Sequence, residues 1–143
     1  MKIFSPKSRQ DFDQYFDLRW RILREPWQQP RGSEKDDLED TSHHVMICDD
    51  AGQAIAVGRL HAATDSQGQI RYMAVASMHQ GKGVGSMLLN ALENIAREKK
   101  FSSILLHARE SAVPFYLHHN YTQLEKSHVL YDSIQHFKMI KYL

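Results

Sequence analysis

The sequence predicts a three-layer α/β domain, classed as α+β by some schemes, with helices flanking a mixed central sheet. Three observations predict it. From Val84 to Ala96 the apolar residues Val84, Met87, Leu88, Ala91, Leu92, Ile95 and Ala96 recur at i, i+3, i+4 and i+7, the period of an amphipathic helix. Ser103 to Leu106 is a short apolar run of the kind found in strands covered on both faces. The elements also come in mixed order: helix, antiparallel strands, a strand-helix-strand-helix core, then a hairpin. That order excludes a doubly wound parallel fold. At 143 residues the chain fits one domain over 1–143.

Taken in order, Ser8-Arg9-Gln10-Asp11 has the spacing of a capping box at a helix start. Phe12, Tyr15, Phe16, Arg19, Ile22 and Leu23 mark one face of that helix, which ends near Glu25-Pro26. Trp27 to Asp40 is polar and reads as a long loop with room for a helical turn, a length that compact domains reserve for functional or disordered segments. His44 to Cys48 and Ala54 to Ala62 are predicted strands joined by the turn Asp49-Asp50-Ala51-Gly52. Asp65 to Gly68 makes a second turn into a strand over Ile70 to Ala76. After the long helix and the apolar strand, Ser111 to His119 is a short helix. Pro114 lies in its first turn, and Asn120 is suited to a left-handed cap. Thr122 to Tyr131 and His136 to Leu143 close the chain as a hairpin around Asp132-Ser133.

Composition narrows the function classes. Apolar content of 42% and charged content of 24% are ordinary for a soluble globular protein. A formal charge of +1 gives no basic excess for nucleic acid. No apolar run approaches ~18 residues, so no membrane span is expected. The start, Met1 to Pro6, lacks the apolar core and small-residue cleavage site of a signal peptide. The single Cys48 sits in the apolar stretch Val45 to Cys48 and reads as a small buried hydrophobe. A cytoplasmic location suits all of this.

The chemistry concentrates in Gln80-Gly81-Lys82-Gly83-Val84-Gly85, where a strand turns into the long helix. Such a turn aims backbone N–H groups, and the positive end of the helix dipole, at a phosphate or pyrophosphate. Lys82 is followed by Gly83, so it is not a Walker loop, and Gly-x-Gly-x-Gly departs from the dinucleotide fingerprint. A tight turn whose glycines merely supply positive φ is the remaining alternative.

Gln80-x-x-Gly83-x-Gly85, after a strand ending Met73-Ala74-Val75, resembles the coenzyme A signature of the GNAT superfamily of N-acetyltransferases. Ala112-x-x-Phe115-Tyr116-x-x-x-Asn120-Tyr121 resembles that family's second pattern, with Asn and Tyr in place of Gly and Phe. The element order is similar from Ile3 to Leu143. The resemblance implies a GNAT-like sheet, mostly antiparallel, whose fourth and fifth strands splay to admit the pantetheine arm of acetyl-CoA. It implies backbone pairing along Met73, Ala74 and Val75, with the Met73 N–H facing a developing oxyanion. Gln80, Gly81, Lys82, Gly83, Val84, Gly85 and Ser86 would hold the pyrophosphate, and Ala112 and Arg109 would border the cofactor, Arg109 standing where relatives often carry an Asn. Tyr116 would protonate the leaving thiolate, although its setting in Phe115-Tyr116-Leu117 also suits plain packing.

The base and the acceptor are read less directly. Some members carry a Glu where this chain has Gln69, which cannot accept a proton; Glu34, Asp36, Asp37, His61 and Glu110 are alternatives. None of the nine histidines has the spacing of a metal site, so no metal is expected. Ile134-Gln135-His136-Phe137-Lys138-Met139 and Leu18 to Glu25 resemble one small bacterial branch of the superfamily. That likeness implies His136 at the acceptor end of the cleft, an edge-hairpin histidine being the alternative. Gln69, His136 and Glu34 are therefore the candidate acceptor residues. The loop mixes Arg21, Arg24 and Arg31 with Glu34, Asp36, Asp37, Glu39 and Asp40, which suits a cationic amine or a carboxylate equally. A small-molecule amine is the expected partner, and a homodimer is left open. Two functions are carried: an acetyl-CoA-dependent N-acetyltransferase, and a non-catalytic acyl-CoA-binding or regulatory module.

Overall fold

The computed structural model describes all residues 1–143. Its strands are β1 (Lys2–Phe4), β2 (His43–Cys48), β3 (Ala54–Ala62), β4 (Gln67–Val75), β5 (Ser103–Arg109), β6 (Thr122–Leu130) and β7 (Ile134–Tyr142). The helices are α1 (Arg9–Leu23), α2 (Val84–Glu98) and α3 (Val113–His118). The strands form one sheet in the order β1-β2-β3-β4-β5-β7-β6, antiparallel except for the β4–β5 pair. No helix is long and apolar enough to cross a membrane.

Side-chain alternation builds the layers. Val45 and Ile47 of β2 pack in the cluster that holds Leu88, Leu89 and Leu92 of α2 and Val113 and Tyr116 of α3. Met46 and Cys48 of the same strand pack with Tyr15, Leu18 and Leu23 of α1. Helix α1 starts from the expected box: the Asp11 N–H donates to Ser8 Oγ at 3.0 Å, and the Ser8 N–H donates to the Asp11 carboxylate at 3.3 Å. A cap of this kind contributes about 1 kcal/mol.

Two local departures from the expected pattern have packing causes. The strand after the second turn begins at Gln67, not Ile70. Gly68 lies inside it because a Cβ there would stand 2.9 Å from Leu60 and from Phe101. Strand β1, which the sequence did not suggest, is a three-residue edge pairing Lys2–Phe4 with Met46–Cys48. At the other end Asn120 takes the left-handed cap (φ 70°), and Tyr131 and Asp132 turn the closing hairpin at φ 52° and 55°.

The sheet opens in the middle. Val57 pairs with Ala74 and Arg59 with Arg71, so two steps on β3 oppose three on β4, and Gly58 faces both Tyr72 and Met73. This bulge puts Tyr72 at φ 58°. It needs glycine opposite, since a Cβ on Gly58 would meet Leu92 at 2.9 Å and Met73 at 3.3 Å. The parallel pairing of β4 with β5 runs from Gln67/Ser103 to Ile70/Leu106 and stops there. Beyond that point the two strands diverge.

The long loop after α1 is pinned by two fully buried arginines. Arg19 donates to Glu34 O at 3.0 Å and to Glu39 Oε2 at 2.9 Å. Arg59 donates to Asp36 Oδ1 at 2.6 Å and to Glu39 Oε2 at 3.0 Å. Asp36 and Glu39 of the loop therefore serve as internal counter-ions.

Candidate active site

The opening between β4 and β5 is a cleft of about 390 Å³, walled by those strands, the end of α1, the start of α3 and the β6–β7 hairpin. Met73, Tyr116, Gln69, Ala112, Arg109 and His136 all line it. Ala74 and Val75 carry β4 on toward the glycine turn. Glu34 does not reach the cleft. It is 5% exposed, and its Oε1 accepts the Gly32 N–H at 2.8 Å. Asp37 and Glu110 are exposed outside the cleft, and Asp36 is bound to Arg59, so the acidic alternatives for a base fall away. His61 lies buried against Arg59 Nη2 at 3.3 Å.

Tyr116 sits in the first turns of α3 with its hydroxyl 3.4 Å from the Met73 sulfur, across the opening from β4. A thioether is a weak acceptor, so the phenolic proton has no strong partner. Burial pushes the phenol well above its ordinary value, and the group stays protonated at any working pH. The neighbouring Tyr121 differs: its hydroxyl donates to Glu93 Oε2 at 2.8 Å and is committed to the core.

The glycine turn follows β4 directly. Gly81 and Gly83 hold φ of 74° and 84°, and nothing lies within 4 Å of where their Cβ atoms would be. Gly83 is the N-cap of α2 and brings no side chain to the cap, so the helix's first N–H groups are left to an outside acceptor. Gln80 Nε2 donates to Val75 O at 3.0 Å and ties the turn to the end of β4. Ser86 Oγ is 2.8 Å from His119 Nε2. Lys82 is exposed beside the turn. A pyrophosphate fits this cradle: open space above glycines, free main-chain donors and the positive end of a 15-residue helix.

The other face of the cleft carries a cluster of histidines that lie apart in the sequence. His136 stacks on His128 with centroids 4.2 Å apart and planes at 17°, and His107 lies 5.7 Å from His128. Three different strands supply them, so no local motif could reveal the cluster. His136 Nδ1 is 3.0 Å from Ile134 O; a carbonyl only accepts, so Nδ1 carries the proton and Nε2 holds the lone pair of the neutral ring. Burial, with His128, Arg109 and His107 nearby, pulls the His136 pKa below its ordinary 6.5, against the Ile134 carbonyl that favours the charged ring. Gln69 presents an amide to the same space.

Comparison with known proteins adds to this geometry. Residues 12–121 match the model of the Acetyltransferase (GNAT) family. The chain is 30% identical to the uncharacterized N-acetyltransferase YjcF of Bacillus subtilis (strain 168) over 141 residues, 99% of each chain. Among solved structures it is similar to an aminoglycoside 6'-N-acetyltransferase complexed with coenzyme A, with a TM-score of 0.82 and 15% identity over 99% of this chain and 97% of that one. An acyl-CoA N-acyltransferase from Pseudomonas aeruginosa aligns with a TM-score of 0.81 and 22% identity, covering 98% and 97%.

Proposed function

The chain belongs to the GNAT acetyltransferase family, and from that premise we propose that it moves an acetyl group from acetyl-CoA to the primary amine of a small molecule by direct transfer. The observation that carries this reading is the opening of β4 from β5 with the Tyr116 hydroxyl facing Met73 across it. The whole chain acts as one domain, in the cytoplasm.

In this reading the main-chain donors of Gly81 to Ser86 hold the pyrophosphate, with Lys82 adding charge and Gln80 fixing the turn. The backbone of Met73, Ala74 and Val75 pairs with the pantetheine arm, and the small Ala112 leaves the wall beside Tyr116 open. The amine nitrogen attacks the thioester carbon and a C–N bond forms. The Met73 N–H faces the oxygen on which charge develops. The C–S bond then breaks, and the leaving sulfur takes the Tyr116 proton. The proton shed by the amine goes to His136 Nε2, which is neutral and partnerless.

A panel of amines incubated with acetyl-CoA tests the reading. Free thiol and acetylated amine should appear one for one with at least one acceptor. Tight coenzyme A binding with no thiol release on any amine would favour a non-catalytic acyl-CoA-binding module instead.

A further inference from the structure

Resting on that acetyl-transfer reading, we propose that the acceptor is a small amine that also carries a carboxylate, as an amino acid does, and that Arg24 and Arg109 hold that carboxylate.

The wall of the cleft has one sign of charge. Arg24, Arg71, Arg109, His107, His128 and His136 line it, and no Asp or Glu does. The mixed charges of the loop sort themselves on folding. Asp36 holds Arg59 and Arg71, Glu39 holds Arg19 and Arg59, and Asp17 holds Arg21 and Arg31 outside the cleft. Those three acids are occupied, Glu34 takes the Gly32 N–H, and Asp37 and Asp40 are exposed outside the cleft. Two guanidiniums remain half-buried with no carboxylate partner, Arg24 and Arg109.

Both are presented by one aromatic platform. Trp27 and Tyr131 stack with centroids 6.0 Å apart and planes at 25°. The Arg109 guanidinium lies 4.5 Å from the Trp27 ring and that of Arg24 6.0 Å from the Tyr131 ring. Arg24 is further fixed by donating from Nε to Ser33 O at 3.0 Å and from Nη1 to Leu23 O at 2.9 Å, which leaves Nη2 free. The Arg109 guanidinium makes no hydrogen bond within the chain, and the residue lies opposite His136 across β5–β7, so clamp and base share a face.

Half-buried guanidiniums without a counter-ion are costly to desolvate, and their forked donors match a carboxylate. The cleft, about 390 Å³, is shared with the acyl end of the donor, which favours a small acceptor. Diamines and amino sugars bearing several ammonium groups would meet three guanidiniums, Arg24, Arg71 and Arg109, and no acid. The phosphates of the donor are not the natural partner, because the glycine turn opens α2, which packs on the opposite face of the sheet from α1 and Arg24.

Calorimetric titration of the protein saturated with coenzyme A tests this. The probes are L-amino acids, the amide of each, and 1,4-diaminobutane. At least one acid should bind about tenfold or more tighter than its amide, with no binding of the diamine. Arg24→Gln and Arg109→Gln should each erase the difference, while Arg31→Gln, outside the cleft, keeps it. Amides equal to acids, a tighter diamine, or an acid preference that survives both cleft variants would overturn the proposal. So would cleft variants that lose coenzyme A affinity in place of the acid preference. Failure of the transferase reading has a different signature: the acid preference persists in binding, and no thiol is released.

Discussion

Tyr116 and His136 occupy the same cleft with opposite pKa shifts, and burial causes both. Burial disfavours the charged form of each, so the phenol keeps its proton to higher pH and the imidazole loses its proton at lower pH. The groups around His136 are His128 on β6 and His107 and Arg109 on β5, all of which add to the cost of the imidazolium. The kcat profile should therefore rise through a limb below pH 6.5 and stay level past pH 10, read by steady-state rates at saturating substrates. His136→Gln should remove the acid limb and the bulk of the rate. Tyr116→Phe should lower kcat by about 10²-fold, within the span of a lost general acid, and leave coenzyme A affinity nearly intact. An unchanged kcat would remove Tyr116 from the chemistry.

Among the elements, α2 and β3 were readable because their signals are local: seven apolar residues at helical spacing, and a strand whose bounds Ala54–Ala62 follow its turn residues. What escaped was set by contacts distant in sequence. The bulge that opens the sheet puts Tyr72 at φ 58°, a position where no sequence rule expects tyrosine. Gly68 looked like a turn residue, and it is a strand residue packed under Phe101. The glycine turn, in contrast, takes the backbone shape its spacing suggests, with Gly81 and Gly83 at φ 74° and 84°. Gly83→Val places a β-branched side chain at φ 84°, a strain of about 1–2 kcal/mol, and puts methyl groups over the free N–H donors. Coenzyme A affinity measured by calorimetry should fall by more than about tenfold, with the fold retained in circular dichroism. Unchanged affinity would remove the turn from the donor site.

At the scale of the whole molecule, the site depends on a buried ion network that holds the loop after α1 against β3. Desolvation pushes the Asp36 carboxyl up, but the bonds from Arg59 and the Leu38 N–H, with the charges of Arg59 and Arg71, outweigh it and hold the group well below its usual 3.8. A depressed folded pKa stabilises the fold fully above the ordinary value, and that contribution drains away progressively as pH falls from the ordinary value toward the depressed folded one. Asp36→Asn should cost about 3 kcal/mol near neutral pH, because Arg59 is fully buried and Glu39 alone is left to balance it and Arg19. The stability gap read by denaturant titration of the two proteins should begin to narrow as the pH drops below about 4 and keep narrowing with further acidification. The same network explains why the acceptor was illegible in the sequence. Glu34, Asp36 and Glu39 look available in the chain, yet each turns inward, and only Arg24 of the loop's mixed charges faces the cleft. The central claim is that coenzyme A enters between β4 and β5 with its pyrophosphate on the glycine turn. An amide correlation spectrum recorded while coenzyme A is added tests it across the whole chain at once. The largest shifts should fall on Met73 to Val75 and Gly81 to Ser86; shifts centred elsewhere, such as the groove between Ser5 and Phe16, would contradict it.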